Sequence, residues 1–331
     1  MNHNPTLMFP QTSMQWNAIG VFTIRYSLFA LRYSLKKNIM NYFILSSLSV
    51  IMSLLTVFQP MQRRVALLNP IEGPMPMCHS TGDGMAAFVD DPKFVALHPA
   101  PLPLDYAEMG SNVSFKTPDG KTATGYVIKA KKKSNKWLFV YQEWWGLNDY
   151  IKRQSDIFYT DLGGSVNVIA LDMYDGKVTA DPKEAGAFMR GVQEARLESI
   201  VKGAMMMAGK KAKVANVGWC FGGGWSLKSA ILGGKQTVGS VMYYGMPVQD
   251  VEKLKTLNTD VLGLFATEEY ISKKVIEDFA ANMKTAGKNL TYKIFPGVHG
   301  FSNPSNPKYD ETLSKEAYGM AIGYLKQKFG E

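Results

Sequence analysis

The stretch VGWCFGGGW, residues 217–225, sets a cysteine among glycines directly after the apolar alternation KVANVG at 213–218. A strand that ends on Gly218 and turns at once into a helix lifts the residue between them, Cys220, out of the sheet. Such a turn folds back on itself only if the positions two before and two after the lifted residue are small, and Gly218 and Gly222 meet that requirement. A cysteine at a helix N-terminus is also where the thiolate is favoured. Neither of two familiar glycine loops fits the stretch GWCFGGGWSLKS, since it lacks both G-x-G-x-x-G and G-x-x-x-x-G-K-[ST]. The competing reading is a buried, inert cysteine in a tight turn, so the partners decide.

Working outward, the pattern on both sides alternates strands with helices. NVSFKTP and TATGYVIKA read as an antiparallel pair joined by a DGK turn. KWLFVYQE and SVNVIALDMY are continuous apolar runs, as expected of strands covered on both faces. A helix is predicted from Asn148 to Leu162, and one long helix over PKEAGAFMRGVQEARLESIVKGAMMMAG. After the turn come a helix from Gly223 to Leu232, the strands VGSVMYYG and DVLGLFA, the helix SKKVIEDFAANMKTAG, the strand LTYKIFP and a last helix from Asp310 to Phe329. This order predicts one α/β domain over 105–331, a doubly wound, mostly parallel sheet with helices on both faces.

The strand–turn–helix is where the α/β-hydrolase fold carries its nucleophile, and there the chain order is nucleophile, acid, histidine. His299, in FPGVHGF past the last core strand, is the only histidine after Cys220. The acid is expected after DVLGLFA, where Glu268 and Glu269 are adjacent and order alone does not separate them. Glu143, in VYQEWWG at the end of a buried strand, is a fourth candidate, because ligand sites in open α/β sheets gather at such ends; a structural salt bridge is its alternative. Trp144 and Trp219 flank this chemistry.

Together QEWWG, LDMYDGK, GWCFGGGWSLKSA, FATEEYIS and FPGVHGFSNPSN resemble the dienelactone hydrolase family, over about residues 110–330. The resemblance implies Cys220 as nucleophile, His299 as base and Glu268 as triad acid in place of the usual aspartate, Glu268 standing three before the β-branched Ile271. It implies that Glu143 pairs with the resting thiol, and that the backbone N–H groups of Phe221 and Trp144 form the oxyanion hole. Family arginines that grip a substrate carboxylate are absent; Asn303 stands at one place and Lys177 is the nearest cation at the other. The implied activity is hydrolysis of a small ester or lactone, as a carboxymethylenebutenolidase-like enzyme, through an acyl-enzyme and with no metal or organic cofactor. The rival is a non-catalytic exported ligand-binding protein on the same scaffold.

The N-terminal third is organised differently. Residues 39–58 form an uncharged apolar run long enough for a bilayer or a signal segment. Lys36 and Lys37 precede it and Arg63 and Arg64 follow. Residues 1–68 are therefore expected to be a leader that exports or anchors the protein, with Met40 an alternative start, and 69–104, rich in proline and glycine, a linker. Of the net charge of +9, residues 1–80 hold +5. The body is only mildly basic, and its densest run, KAKKKSNK at 129–136, has no interleaved aromatics, so no nucleic-acid partner is expected. Any membrane association would run through 39–58. Two cysteines make no disulfide framework, and Cys78 beside His79 reads as a surface thiol.

Overall fold

A computed structural model describes residues 84–331. The expected leader and apolar segment, the alternative start at Met40, the Cys78–His79 pair and the first part of the expected linker lie outside the described residues.

Eight strands form one sheet: β1 (Ser111–Lys116), β2 (Thr122–Ile128), β3 (Lys136–Tyr141), β4 (Asn167–Leu171), β5 (Lys213–Trp219), β6 (Thr237–Tyr243), β7 (Val261–Phe265) and β8 (Leu290–Ile294). Their order is β1-β2-β4-β3-β5-β6-β7-β8. β1 and β2 are antiparallel, β2 runs antiparallel to β4, and every later pairing is parallel. The apolar runs at β4 and β7 are buried at every position, because helices cover both faces of a parallel sheet. β8, at the edge, stays partly exposed.

Helix ends follow the side chains that cap them. Asn148 accepts from the Ile151 amide to open Asp149–Asp161, and Ser272 accepts from Val275 to open Lys273–Thr285. The long helix expected after Pro182 is two helices, Pro182–Gly191 and Glu194–Ala208, because Val192 is extended and Gln193 starts the second. Among the described residues no helix is long and apolar enough to cross a membrane.

The last part of the expected linker is folded. Gly84–Phe88 makes a 3-10 turn and Pro92–Ala96 a short helix capped by Asp91. Phe94 is fully buried, edge-on to Trp144 at 5.9 Å and to Tyr270 at 5.2 Å. Proline and glycine content suggested a linker; spaced aromatics, Phe88 and Phe94, make the stretch a packed strap instead.

Candidate active site

Four parallel-strand ends converge at the C-terminal edge of the sheet. Glu143 follows β3, Cys220 follows β5, Glu268 follows β7 and His299 follows β8. Pairing of Tyr141 with Gly218 brings the end of β3 alongside the turn.

Cys220 has φ 56° and ψ −119°, a positive φ that is strained for a side chain with a Cβ. The turn leaves its neighbours no room. A Cβ on Gly218 would sit 2.1 Å from the Gly222 carbonyl oxygen, and one on Gly222 would sit 2.4 Å from the carbonyl oxygens of Tyr141 and Gln142. The Cys220 amide donates to the Tyr243 carbonyl at 3.0 Å, tying the bend to β6. Phe221 opens the helix Phe221–Gly233, so its N–H belongs to the first turn, which has no partner within the helix.

His299 Nδ1 donates to Glu268 Oε1 at 2.8 Å, and both side chains are almost wholly buried. Glu269, by contrast, is exposed and lies 3.8 Å from the Lys93 ammonium. Of the adjacent glutamates, only Glu268 reaches the imidazole. The other ring nitrogen of His299, Nε2, is buried and has no hydrogen-bond partner. Burial opposes a charge on His299, but the Glu268 carboxylate and the Cys220 sulfur outweigh it and hold the imidazole well above its ordinary pKa. Burial pushes the Cys220 thiol up, partly countered by His299 and by the Phe221 amide.

Glu143 is buried, but it is not the thiol's partner. Its Oε1 accepts from the Tyr244 hydroxyl at 3.4 Å and its Oε2 accepts from Asn303 Nδ2. Burial raises its pKa to about 7, with His299, Tyr244 and Asn303 pulling the other way. Asn303 therefore holds the glutamate. Together with Trp219 they line a narrow cleft that continues, past Trp219 and Pro304, into an open groove of about 350 Å³. Trp219 stacks on Tyr243 at 5.3 Å to form its wall. Lys177 is not brought here: its ammonium lies over the Phe188 ring at 5.5 Å in a separate pocket with Tyr174 and Arg196. Trp144 is fully buried against Trp145 and Phe94.

What the sequence reading missed is His98, set aside with the linker. Its Nε2 is 3.4 Å from Cys220 Sγ, its ring is 4.6 Å from that of His299, and it is buried. A donor atom from each of His98, Cys220 and His299 lies within 4.8 Å of the others. Two imidazoles and a thiol at this spacing suit a soft metal and proton transfer alike. No motif marks His98; the available signal was a histidine four residues after a phenylalanine.

A strained cysteine between glycines, an imidazole held by a carboxylate and a sheet of this order invite comparison with known proteins. The model of the dienelactone hydrolase family matches residues 123–329. The chain belongs to that family. A protein of Aquifex aeolicus (strain VF5), provisionally named carboxymethylenebutenolidase, is 25% identical over 231 residues, covering 66% of this chain and 98% of its own. Protein usf of Aquifex pyrophilus is 26% identical over 234 residues, covering 66% and 99%. The structure of a dienelactone hydrolase-like promiscuous phosphotriesterase from metagenomic libraries superposes with a TM-score of 0.58 at 18% identity, covering 66% of this chain and 98% of that one. That likeness supports the α/β-hydrolase fold. The strap carrying His98 precedes the matched region.

Proposed function

We propose that this dienelactone hydrolase family member cleaves a small ester or lactone through an acyl-enzyme on Cys220. The observation that carries the reading is the buried Glu268–His299 pair at 2.8 Å beside a cysteine held at positive φ on a glycine-flanked turn. In this reading the Cys220 thiol gives its proton to an imidazole of the buried cluster and the sulfur attacks the carbonyl carbon, while the Phe221 and Trp144 amides receive the developing oxyanion. As the C–O bond breaks, His299 Nε2 gives its proton to the leaving oxygen. Water then attacks the thioester, His299 takes a proton from it, and the acid departs. Glu268 holds the imidazole in one tautomer and orientation and stabilises its charged form. The Trp219–Tyr243 wall suits an apolar or aromatic substrate body.

A screen of aryl esters and lactones with the full chain tests this reading. Turnover that vanishes in Cys220→Ala supports it; no turnover of any of them, with saturable binding, would favour a ligand-binding protein on the same scaffold. The uncharged run at 39–58 supports placement outside the cytoplasm or at a membrane, which fractionation of cells making the full chain would test; recovery wholly in the cytoplasmic fraction would refute it.

A further inference from the structure

We propose that His98, supplied by the strap outside the family region, is the group that accepts the Cys220 proton, so that the site works with two imidazoles of different duty. The tautomers follow from the contacts. His98 Nδ1 is 2.8 Å from the Phe94 carbonyl oxygen. A carbonyl only accepts, so Nδ1 carries the hydrogen, and in the neutral ring Nε2 holds a lone pair. That lone pair faces Cys220 Sγ at 3.4 Å, and the thiol donates to it.

His299 is the less well aimed of the two rings: its Nε2 makes no hydrogen bond to the sulfur, and its Nδ1 is held by the Glu268 carboxylate, which together with the charge of Cys220 favours the imidazolium. Glu143, to which the family likeness gave the resting thiol, is occupied by Tyr244 and Asn303. His98 is the neutral one: burial first, and then the charge of His299, hold its pKa well below the ordinary value.

The step balances within the site. The S–H bond breaks, its proton goes to His98 Nε2, and the electron pair stays on sulfur as a thiolate beside the His299 imidazolium. Sulfur attacks the ester carbonyl, and His299 protonates the departing oxygen. After water, deprotonated by His299, hydrolyses the thioester, His98 returns its proton to the released thiolate. A weak base suits this duty, because it leaves the thiol protonated until an electrophile draws on it.

The strap is built to hold that ring in place. The Tyr270 hydroxyl donates to Asp91 Oδ2 at 2.7 Å, and Tyr270 lies two residues beyond Glu268. His98 packs against Phe94 at 4.5 Å and Trp144 at 4.4 Å. The charged or titratable groups facing it are Cys220 and His299, with Glu268, Glu143 and Tyr244 behind them. On its own segment Asp91 and Lys93 sit at the start of the helix, and Lys308 reaches the Ala96 carbonyl at 3.5 Å.

The proton step rests on the hydrolase reading only for its use in acylation, and the test separates the two. Alkylation of Cys220 by iodoacetamide in the full chain, read by peptide mass spectrometry from pH 5 to 10, is compared among wild type, His98→Phe and His98→Gln, alongside kcat/KM for an aryl ester. In wild type the alkylation rate should level off once His98 is neutral, by about pH 7. In both variants it should fall at pH 7 by at least about tenfold and climb toward pH 10 as the thiol ionises unaided, while kcat/KM falls by about 10²-fold, the lower end for a lost general base. Phenylalanine keeps the ring packing and glutamine keeps an acceptor that takes no proton, so either variant, once folded, is decisive. An unchanged alkylation profile, or faster alkylation in His98→Phe, would show His98 to be a mere cover and overturn the proposal. The expected profiles without ester turnover would sink only the hydrolase reading.

Discussion

The turn at Cys220 and the strap at 84–98 both touch the same sulfur, yet they are held by different means. At the turn, backbone packs on backbone: Gly218 against Gly222, Gly222 against Tyr141 and Gln142, the Cys220 amide on Tyr243. At the strap, side chains do the holding, through Phe94 among aromatic rings and the Tyr270–Asp91 hydrogen bond. Backbone contacts tolerate no change and leave a glycine signature. Aromatic packing accepts many solutions and leaves only a faint one.

The largest expected effect lies on the turn side. Cys220→Ala should abolish ester turnover, a loss of at least about 10⁴-fold, as when a nucleophile is removed, while leaving the melting temperature within a few degrees. Gly222→Ala should lower stability by about 3 kcal/mol or more, because its Cβ would meet two carbonyl oxygens at 2.4 Å that cannot move without opening the sheet; thermal unfolding measures it. A mild effect there would mean the turn is looser than its contacts indicate.

How much could be read beforehand tracks this difference. Gly218, Cys220 and Gly222 stood out because a sharp strand-to-helix bend restricts residue type, and His299 because it was the only histidine downstream. Chain order alone left Glu268 and Glu269 open and the family resemblance favoured Glu268; in the structure that one faces the imidazole and the other faces solvent. The break after Gly191 was hidden, because an apolar pattern continues across two helices as readily as through one. The duty of Glu143 shifted because Asn303, noted only as a place lacking arginine, holds that carboxylate. His98 left only a faint mark because little in its neighbourhood restricts residue type; it matters through what the strap packs against.

A second experiment compares the two glutamates. Glu268→Gln should cost about 10²- to 10⁴-fold in kcat, as expected for loss of the carboxylate that orients the imidazole, whereas Glu269→Gln should stay within about threefold, being exposed. Equal losses would break the assignment.

Glu143 gives a pH signature. Its folded pKa, about 7, lies above the ordinary 4.5. The folded protein therefore binds more protons than the unfolded chain between those values, and stability should fall as pH rises through that window, by up to about 3 kcal/mol. Glu143→Gln should flatten that slope in denaturant unfolding series at pH 4.5 and 7; an unchanged slope would place the titration elsewhere.

On the strap side the smallest effect is expected from Tyr270→Phe, a slight loss of stability from one lost hydrogen bond. Hydrogen exchange should show that loss in residues 91–98 and leave the amides of 218–224 unaffected. Equal loosening of both would mean that turn and strap form one unit.

The nucleophile itself is tested most directly by rapid-quench mass spectrometry of the full chain mixed with an activated aryl ester. The account predicts a transient acyl group on the peptide bearing Cys220, formed with the burst of released phenol and lost as the acid appears. Turnover with no acyl group on that peptide at any time, or with the acyl group on another residue, would contradict it.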